Sequence, residues 1–218
     1  EQGSLFIALK GENTDGHRFV GTAFKAGAAA AMVQKGYSVA AEDRNVVAVD
    51  NTEKAMGDIA AGIIRERGNS LIKVAVTGSV GKTSTKDMIA FVLEQKYKTL
   101  KSKLNHNNEL GLPLTVMGLE KEHQVLVAEM GMRGMGQIEY LTNIVKPDIA
   151  VITNIGVAHL ELLGSRENIL KAKLEVCKGM KADSTLVLNG DNDMLSQENI
   201  VRNILSEYGV TCPNIIYF

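Results

Sequence analysis

The sequence has no surplus of basic charge: 24 lysines and arginines stand against 25 aspartates and glutamates, for a formal net charge of −1. Nucleic-acid and membrane-surface binders usually show a basic excess, so composition turns the reading away from both. Cysteine is scarce. The two present, Cys177 and Cys212, form neither a metal-ligand spacing nor a disulfide framework, which suits a reducing cytoplasm. No apolar run approaches the roughly 18 residues a membrane span needs, and a secretory leader is not expected. What remains is a 218-residue chain, 45% hydrophobic, with enough apolar material for a buried core and length enough for more than one domain.

Short apolar runs alternate with amphipathic stretches throughout. The runs at 5–9, 30–34, 46–50, 73–77, 124–130, 149–154, 185–189 and 215–218 are β-branched and nearly continuous, as strands buried on both faces are. Helices are predicted at 17–27, 52–67, 82–95, 137–145, 166–180 and 193–208, with Thr52 and Ser165 as N-caps. This β-α-β rhythm calls for an α/β fold with mainly parallel sheets covered by helices. The polar turn Gly68-Asn69-Ser70 divides it into a small α/β domain at 1–69 and a second at 70–218. Both ends read as cut, so the chain is expected to be a piece of a longer protein.

The strand ending in Val76-Thr77 runs into Gly78-Ser79-Val80-Gly81-Lys82-Thr83-Ser84 and then into a helix. Glycines let the backbone approach phosphate oxygens, and amides at a helix N-terminus point at the anion. Lys82 can reach the β- and γ-phosphates of ATP or GTP, and the Thr83 hydroxyl suits Mg²⁺. One glycine is missing: the usual pattern has one six residues before the lysine, where this chain has Val76. The shorter loop argues against GTPase-like and motor-like classes.

Ligands of a doubly wound sheet bind at the carboxyl ends of its strands. Glu129 closes the apolar run Val125-Leu126-Val127-Ala128, where a carboxylate could hold Mg²⁺ or simply cap a helix. His159 follows another strand, beside Asn154, as either a ligand or a structural histidine. Lys173 reads as an exposed helix lysine, with nothing to prefer it over Lys171. Residues 105–113, rich in amide side chains, read as a surface or recognition loop.

Taken together and in this order, these segments resemble the Mur ligases, the ATP-dependent amide-forming enzymes of peptidoglycan precursor synthesis. Leu5-Phe6-Ile7-Ala8-Leu9-Lys10-Gly11-Glu12 with Asp15-Gly16-His17 and Phe19 is similar to the amino-terminal domain that holds the UDP end of the substrate. The short phosphate loop is the family's own. Asn107-Asn108-Glu109 with Gly111, Pro113 and Thr115, and Glu129-Met130-Gly131 with Gly136 and Ile138, look like the branch that adds D-alanyl-D-alanine. Ile152-Thr153-Asn154-Ile155-Gly156-Val157-Ala158-His159-Leu160-Glu161 is the most specific stretch after the loop.

The resemblance implies an ATP-dependent ligase acting on UDP-N-acetylmuramoyl-tripeptide and D-alanyl-D-alanine in the cytoplasm, as a monomer. It implies that Gly78, Ser79, Val80, Gly81, Lys82, Thr83 and Ser84 hold the triphosphate and Asn189 the base. Thr83, Glu129 and His159 would hold two Mg²⁺ ions, Lys173 would carry a carbamate, and Lys82, His159 and Lys173 would be catalytic. His17, Asn107 and Asn108 would contact substrate. Against the family pattern, an Asp-Ser-Arg segment before the first strand and a carboxy-terminal domain are missing, so this extent of chain is expected to bind nucleotide weakly and catalyse little. Another amine acceptor or a folate substrate within the family, and a non-catalytic nucleotide-binding module, are the alternatives.

Overall fold

A computed structural model describes residues 2–38, 45–103, 105–211 and 214–218. Cys212 lies outside them. The chain divides into two compact units, residues 1–58 and 59–218. The first holds a parallel sheet of three strands, β1 (Leu5–Ile7), β2 (Ala30–Gln34) and β3 (Val46–Val49), with α1 (Val20–Lys25). Ala8, Val20, Ala31 and Val33 form its core. Helix α2 (Thr52–Arg67) begins in this unit and runs into the next.

The second unit contains β4 (Ile72–Thr77), α3 (Lys82–Glu94), β5 (Thr99–Lys101), α4 (Gly111–Met117), β6 (Val125–Glu129) and α5 (Gln137–Val145). It continues with β7 (Ile149–Ile152), α6 (Leu160–Leu163), α7 (Arg166–Leu174), β8 (Thr185–Leu188), α8 (Glu198–Glu207) and β9 (Asn214–Tyr217). All six strands are parallel, in the order β5-β6-β4-β7-β8-β9. β4, first in the chain, therefore lies inside the sheet, and successive strands add on either side of it. Its carboxyl end is the topological switch point, where two neighbouring connections diverge and leave a crevice.

The two faces of this sheet carry different loads. Ala75, Leu126, Ala128, Ala150, Ile152, Leu186 and Leu188 join the larger core with residues of α4, α5, α7 and α8. Val74, Val76, Val125, Val127 and Val151 point the other way and pack with Ala90 of α3. Strand residues buried on both faces explain the nearly continuous apolar runs.

Several elements differ from the sequence expectation. The helix expected over 17–27 is a short 3₁₀ turn followed by α1, and that over 193–208 starts only at Glu198. Before it, Asn192 Oδ1 accepts the Met194 and Leu195 amides in a side-chain-stabilised turn. The helix expected over 166–180 stops at Leu174 and tightens to 3₁₀ geometry through Gly179, where Val176 O accepts the Thr142 hydroxyl at 2.6 Å. Three short elements, β5, α4 and α6, went unpredicted, and α4 opens inside the segment read as a loop. Thr52 is not the cap of α2 but its first residue. Asn51 caps it, its Oδ1 accepting the Lys54 amide at 2.8 Å. Ser165 does cap α7, accepting from the Asn168 amide at 3.2 Å. Among the described residues, no helix is long and apolar enough to cross a membrane.

Asn51→Ala is expected to destabilise the protein by about 1 kcal/mol in denaturant titration, while Asn51→Asp, which keeps the accepting oxygen, stays close to wild type.

Candidate active site

Thr77 ends β4 with its hydroxyl donating to Met130 O at 2.8 Å, so the outgoing chain is fixed against β6 before it turns. Gly78 follows at φ +147, and a Cβ there would collide with the Thr153 hydroxyl. The glycine is required by both backbone and space. The turn is then braced from β7. Asn154 Oδ1 accepts the Ser79 and Val80 amides at 3.0 Å each, the Thr153 hydroxyl donates to Val80 O, and the Ser79 hydroxyl accepts the Gly156 amide. Gly81, at φ +81, leads into α3. The amides of Gly81, Lys82, Thr83 and Ser84 find no acceptor among the described residues. They form the anion cradle of a helix N-terminus, with positive potential from the helix dipole. The Lys82 ammonium rests on Gly78 O at 2.9 Å and Ser79 O at 3.3 Å, beside that cradle.

Across the mouth stands Glu129, 2% exposed at the end of β6. Its Oε2 accepts the Thr83 hydroxyl at 2.8 Å, its Oε1 accepts Asn107 Nδ2 at 2.8 Å, and its amide donates to Ser102 Oγ. The carboxylate and Thr83 hydroxyl are the hard oxygen donors that Mg²⁺ takes. Among the described residues, no group of three or more His, Cys, Asp or Glu side chains could hold a metal. A cation here would complete its shell with water and phosphate oxygens, as Mg²⁺ commonly does.

A cavity of about 400 Å³ opens beside the loop, lined by Lys82, Asn107, Asn108, Arg133, His159 and Lys173 among others. Sequence left Lys171 and Lys173 equivalent; the fold separates them. Lys171 is half-exposed and pairs with Glu207, whereas Lys173 is 2% exposed and has no hydrogen-bond or ion-pair partner among the described residues. Its expected exposure is thus reversed. Burial, then the nearby charge of Lys82, brings its pKa down from 10.5 to about 7. His159 sits at φ +66, at the start of α6, and partial desolvation followed by Lys173, Lys82 and Arg133 holds its pKa below the ordinary value. A neutral imidazole nitrogen is the form that ligates metals.

Other candidates have more local duties. Asn108 Oδ1 accepts the Leu110 and Gly111 amides and so turns the chain into α4. Asn189 Nδ2 donates to Thr153 O at 3.0 Å and its Oδ1 accepts the Asp191 amide, tying the end of β8 to the brace behind the phosphate loop. His17, proposed from the sequence as a substrate contact, is 5% exposed within the first unit. Its Nδ1 lies 2.5 Å from Asp15 and its Nε2 accepts the Gln34 amide at 2.8 Å. Both ring nitrogens are spent inside the unit, so an imidazole–ligand hydrogen bond would cost one of them.

Sequence reading missed the positioning residues. Glu175 is 2% exposed and its carboxylate accepts the Gly136 and Glu139 amides, capping α5 from a distant segment. Gln137 Oε1 accepts the Arg133 and Gly134 amides and shapes the cavity wall. No local signal marks them: Glu175 shares its helical spacing with Lys171 and Lys178, and Gln137 merely opens α5.

A helix N-terminus aimed into the crevice at a parallel sheet's switch point makes this a phosphate-loop nucleotide-binding protein. The Mur ligase middle domain matches residues 76–210 and the Mur ligase family catalytic domain residues 1–63, and the chain belongs to the Mur ligase family. It is 46% identical over 195 residues to the UDP-N-acetylmuramoyl-tripeptide–D-alanyl-D-alanine ligase of Bacillus subtilis (strain 168), covering 89% of this chain and 42% of that protein. A crystal structure of MurF from Acinetobacter baumannii covers the whole chain with a TM-score of 0.88 at 34% identity, using 46% of its own length. The MurF ligase from Thermotoga maritima in complex with ADP covers the whole chain at TM-score 0.84 and 32% identity, using 48% of its length. The chain thus spans a little less than half the length of the relatives it matches.

Lys173 makes a pH prediction. Its folded pKa lies below its unfolded one, so its burial cost is fully present below pH 7 and fades as pH rises toward 10.5. In bicarbonate-free buffer, Lys173→Met is therefore expected to melt higher than wild type at pH 6.5, with the difference shrinking at pH 9. An equal difference at both pH values would contradict the burial argument.

Proposed function

We propose that the full-length protein is an ATP-dependent ligase that joins D-alanyl-D-alanine to UDP-N-acetylmuramoyl-tripeptide in peptidoglycan precursor synthesis. The observation that carries the reading is the arrangement at the loop's mouth: Thr83 bonded to Glu129, Glu129 bonded to Asn107, and a buried lysine beside them. The named relatives support the choice of substrates.

A carboxylate is a poor electrophile, so amide formation needs a leaving group. The γ-phosphoryl of ATP passes to the tripeptide's terminal carboxylate: a carboxyl O–P bond forms, the bond to the β-phosphate oxygen breaks, and ADP departs. The amine of D-alanyl-D-alanine then attacks the acyl phosphate, releasing phosphate and a proton. The free amides of residues 81–84 would hold phosphate oxygens, and Lys82 would leave the loop carbonyls to follow the charge to the β- and γ-phosphates. Thr83 and Glu129 would hold one Mg²⁺ and His159 would help hold a second. Those ions would supply charge neutralisation between the two anionic substrates.

Lys173 fits the carbamate role through its deprotonation. A neutral amine can add CO₂, forming an N–C bond and releasing a proton to solvent, and the resulting carboxylate would face the second cation. Asn189, at the end of β8, would lie near the base. The first unit would hold the UDP end, with residues 1–69 as its domain and residues 70–218 as part of the ATP-binding domain. The carboxy-terminal domain that the family resemblance implies would lie outside this chain, and a cytoplasmic monomer is the working form.

Full-length protein given ATP, Mg²⁺ and UDP-N-acetylmuramoyl-tripeptide is expected to release ADP and phosphate only when D-alanyl-D-alanine is added. Lys82→Ala should lower that turnover by at least about a hundredfold. ADP release with a different amine would shift the substrate assignment, and nucleotide binding without turnover under any amine would leave a binding module. Crystals grown with bicarbonate are expected to show density beyond the Lys173 amine.

A further inference from the structure

Lys86 is a buried cation that the chemistry above does not use. It lies one turn beyond Lys82 on α3, 2% exposed, in the same stripe as Ile89, Ala90 and Leu93. Its ammonium donates to Ser102 O at 2.9 Å and stands 3.4 Å from Asp87 Oδ1. Asp87 is half-exposed and is shared with Lys101 at 3.0 Å. Taking an ammonium out of water is expensive, and an ion pair with a solvated partner returns little of that. The contact that orients Lys86 is the carbonyl.

Ser102 is itself 1% exposed and is held three ways. Its amide donates to Val127 O at 3.0 Å, its hydroxyl accepts the Glu129 amide at 3.1 Å, and its carbonyl accepts from Lys86. Ser102 follows β5 directly. Asn107 reaches the same carboxylate: its side chain donates to Glu129 Oε1 at 2.8 Å and its carbonyl accepts the Gly131 amide at 2.7 Å. Ser102 and Asn107 thus both hold the end of β6, and Glu129 touches each.

We propose that Lys86 is a positioning residue for the cation site: by holding the Ser102 carbonyl it fixes the hydroxyl that accepts the Glu129 amide, and with it the place of Glu129 beside Thr83 and a bound Mg²⁺. The inference rests on the reading that Thr83 and Glu129 hold that ion. With Lys86 replaced by Met, a buried carbonyl loses its donor and Ser102 can relax toward water. Glu129, whose amide the Ser102 hydroxyl accepts, then loses its register, although every cation-ligating atom is still present.

The test is calorimetric titration of ADP into the full-length protein across a series of Mg²⁺ concentrations, with melting temperatures measured alongside. Lys86→Met is expected to raise the Mg²⁺ concentration needed for half-maximal enhancement of ADP binding by about tenfold, the scale of one lost charge-assisted hydrogen bond. ADP affinity in chelator should stay at the wild-type value, and Lys86→Arg should restore much of the Mg²⁺ response. A Lys86→Met protein that melts lower yet keeps the wild-type Mg²⁺ response would overturn the proposal and leave a merely structural lysine. Should Lys86→Met fail to fold, Ser102→Ala breaks the same chain of contacts with Lys86 in place. It is expected to shift the Mg²⁺ response the same way, and an unchanged response would sink the idea equally. Wild-type ADP binding indifferent to Mg²⁺ would instead refute the cation reading itself, before any variant is compared.

Discussion

Asn154 Oδ1 accepts two consecutive amides of the phosphate loop, from Ser79 and Val80, at 3.0 Å each, and the rest of the site follows from that clasp. A glycine turn leaving a strand has many conformations open to it. Here two of its donors are satisfied from the neighbouring strand, which leaves the amides of residues 81–84 as the ones directed at an anion. The Thr153 hydroxyl beside it fills the space that a side chain at position 78 would need. Strand β7 therefore shapes the loop as much as β4 delivers it, and the loss of conformational freedom is met during folding instead of at each binding event.

The site concentrates interactions that are unfavourable in isolation. Lys173 and Lys86 are both 2% exposed, and they meet burial differently. Lys86 donates to a carbonyl and stands beside an aspartate; Lys173, with neither, is drawn toward the neutral amine. One lysine is thereby suited to hold backbone and the other to react, and only their surroundings distinguish them. The left-handed backbone at His159 belongs with these, since such conformations persist where the surrounding structure compels them.

Much of this was legible in the sequence where chemistry and chain order coincide. The phosphate loop is contiguous, so strand, glycines, lysine and threonine announce themselves together, and the parallel sheet follows from long apolar runs separated by helices. Glu129 could be placed because it closes such a run. Contacts between distant segments were harder to read. Nothing local separates Lys173 from Lys171, because the difference lies in which face of α7 meets the cavity. Asn51 and Thr52 are adjacent and both can cap, and only the fold shows that the Asn51 oxygen takes the Lys54 amide. β5 has three residues and α4 seven, too few for periodicity to register. His17 shows the same limit, since nothing local announces that its ring lies buried between Asp15 and the Gln34 amide.

The sheet order has a consequence for how the molecule comes into being. β4 occupies residues 72–77, yet its two neighbours are β6 at 125–129 and β7 at 149–152. A chain emerging from the ribosome exposes this apolar strand long before either flank exists, and pairings so distant in sequence are slow to close. The loop that β4 carries has no brace until residues 153 and 154 arrive, so nucleotide cannot recognise a half-made unit through that geometry. Ligand-assisted folding, if tested by pulse labelling, should appear only late, after the strand that supplies Asn154 has docked.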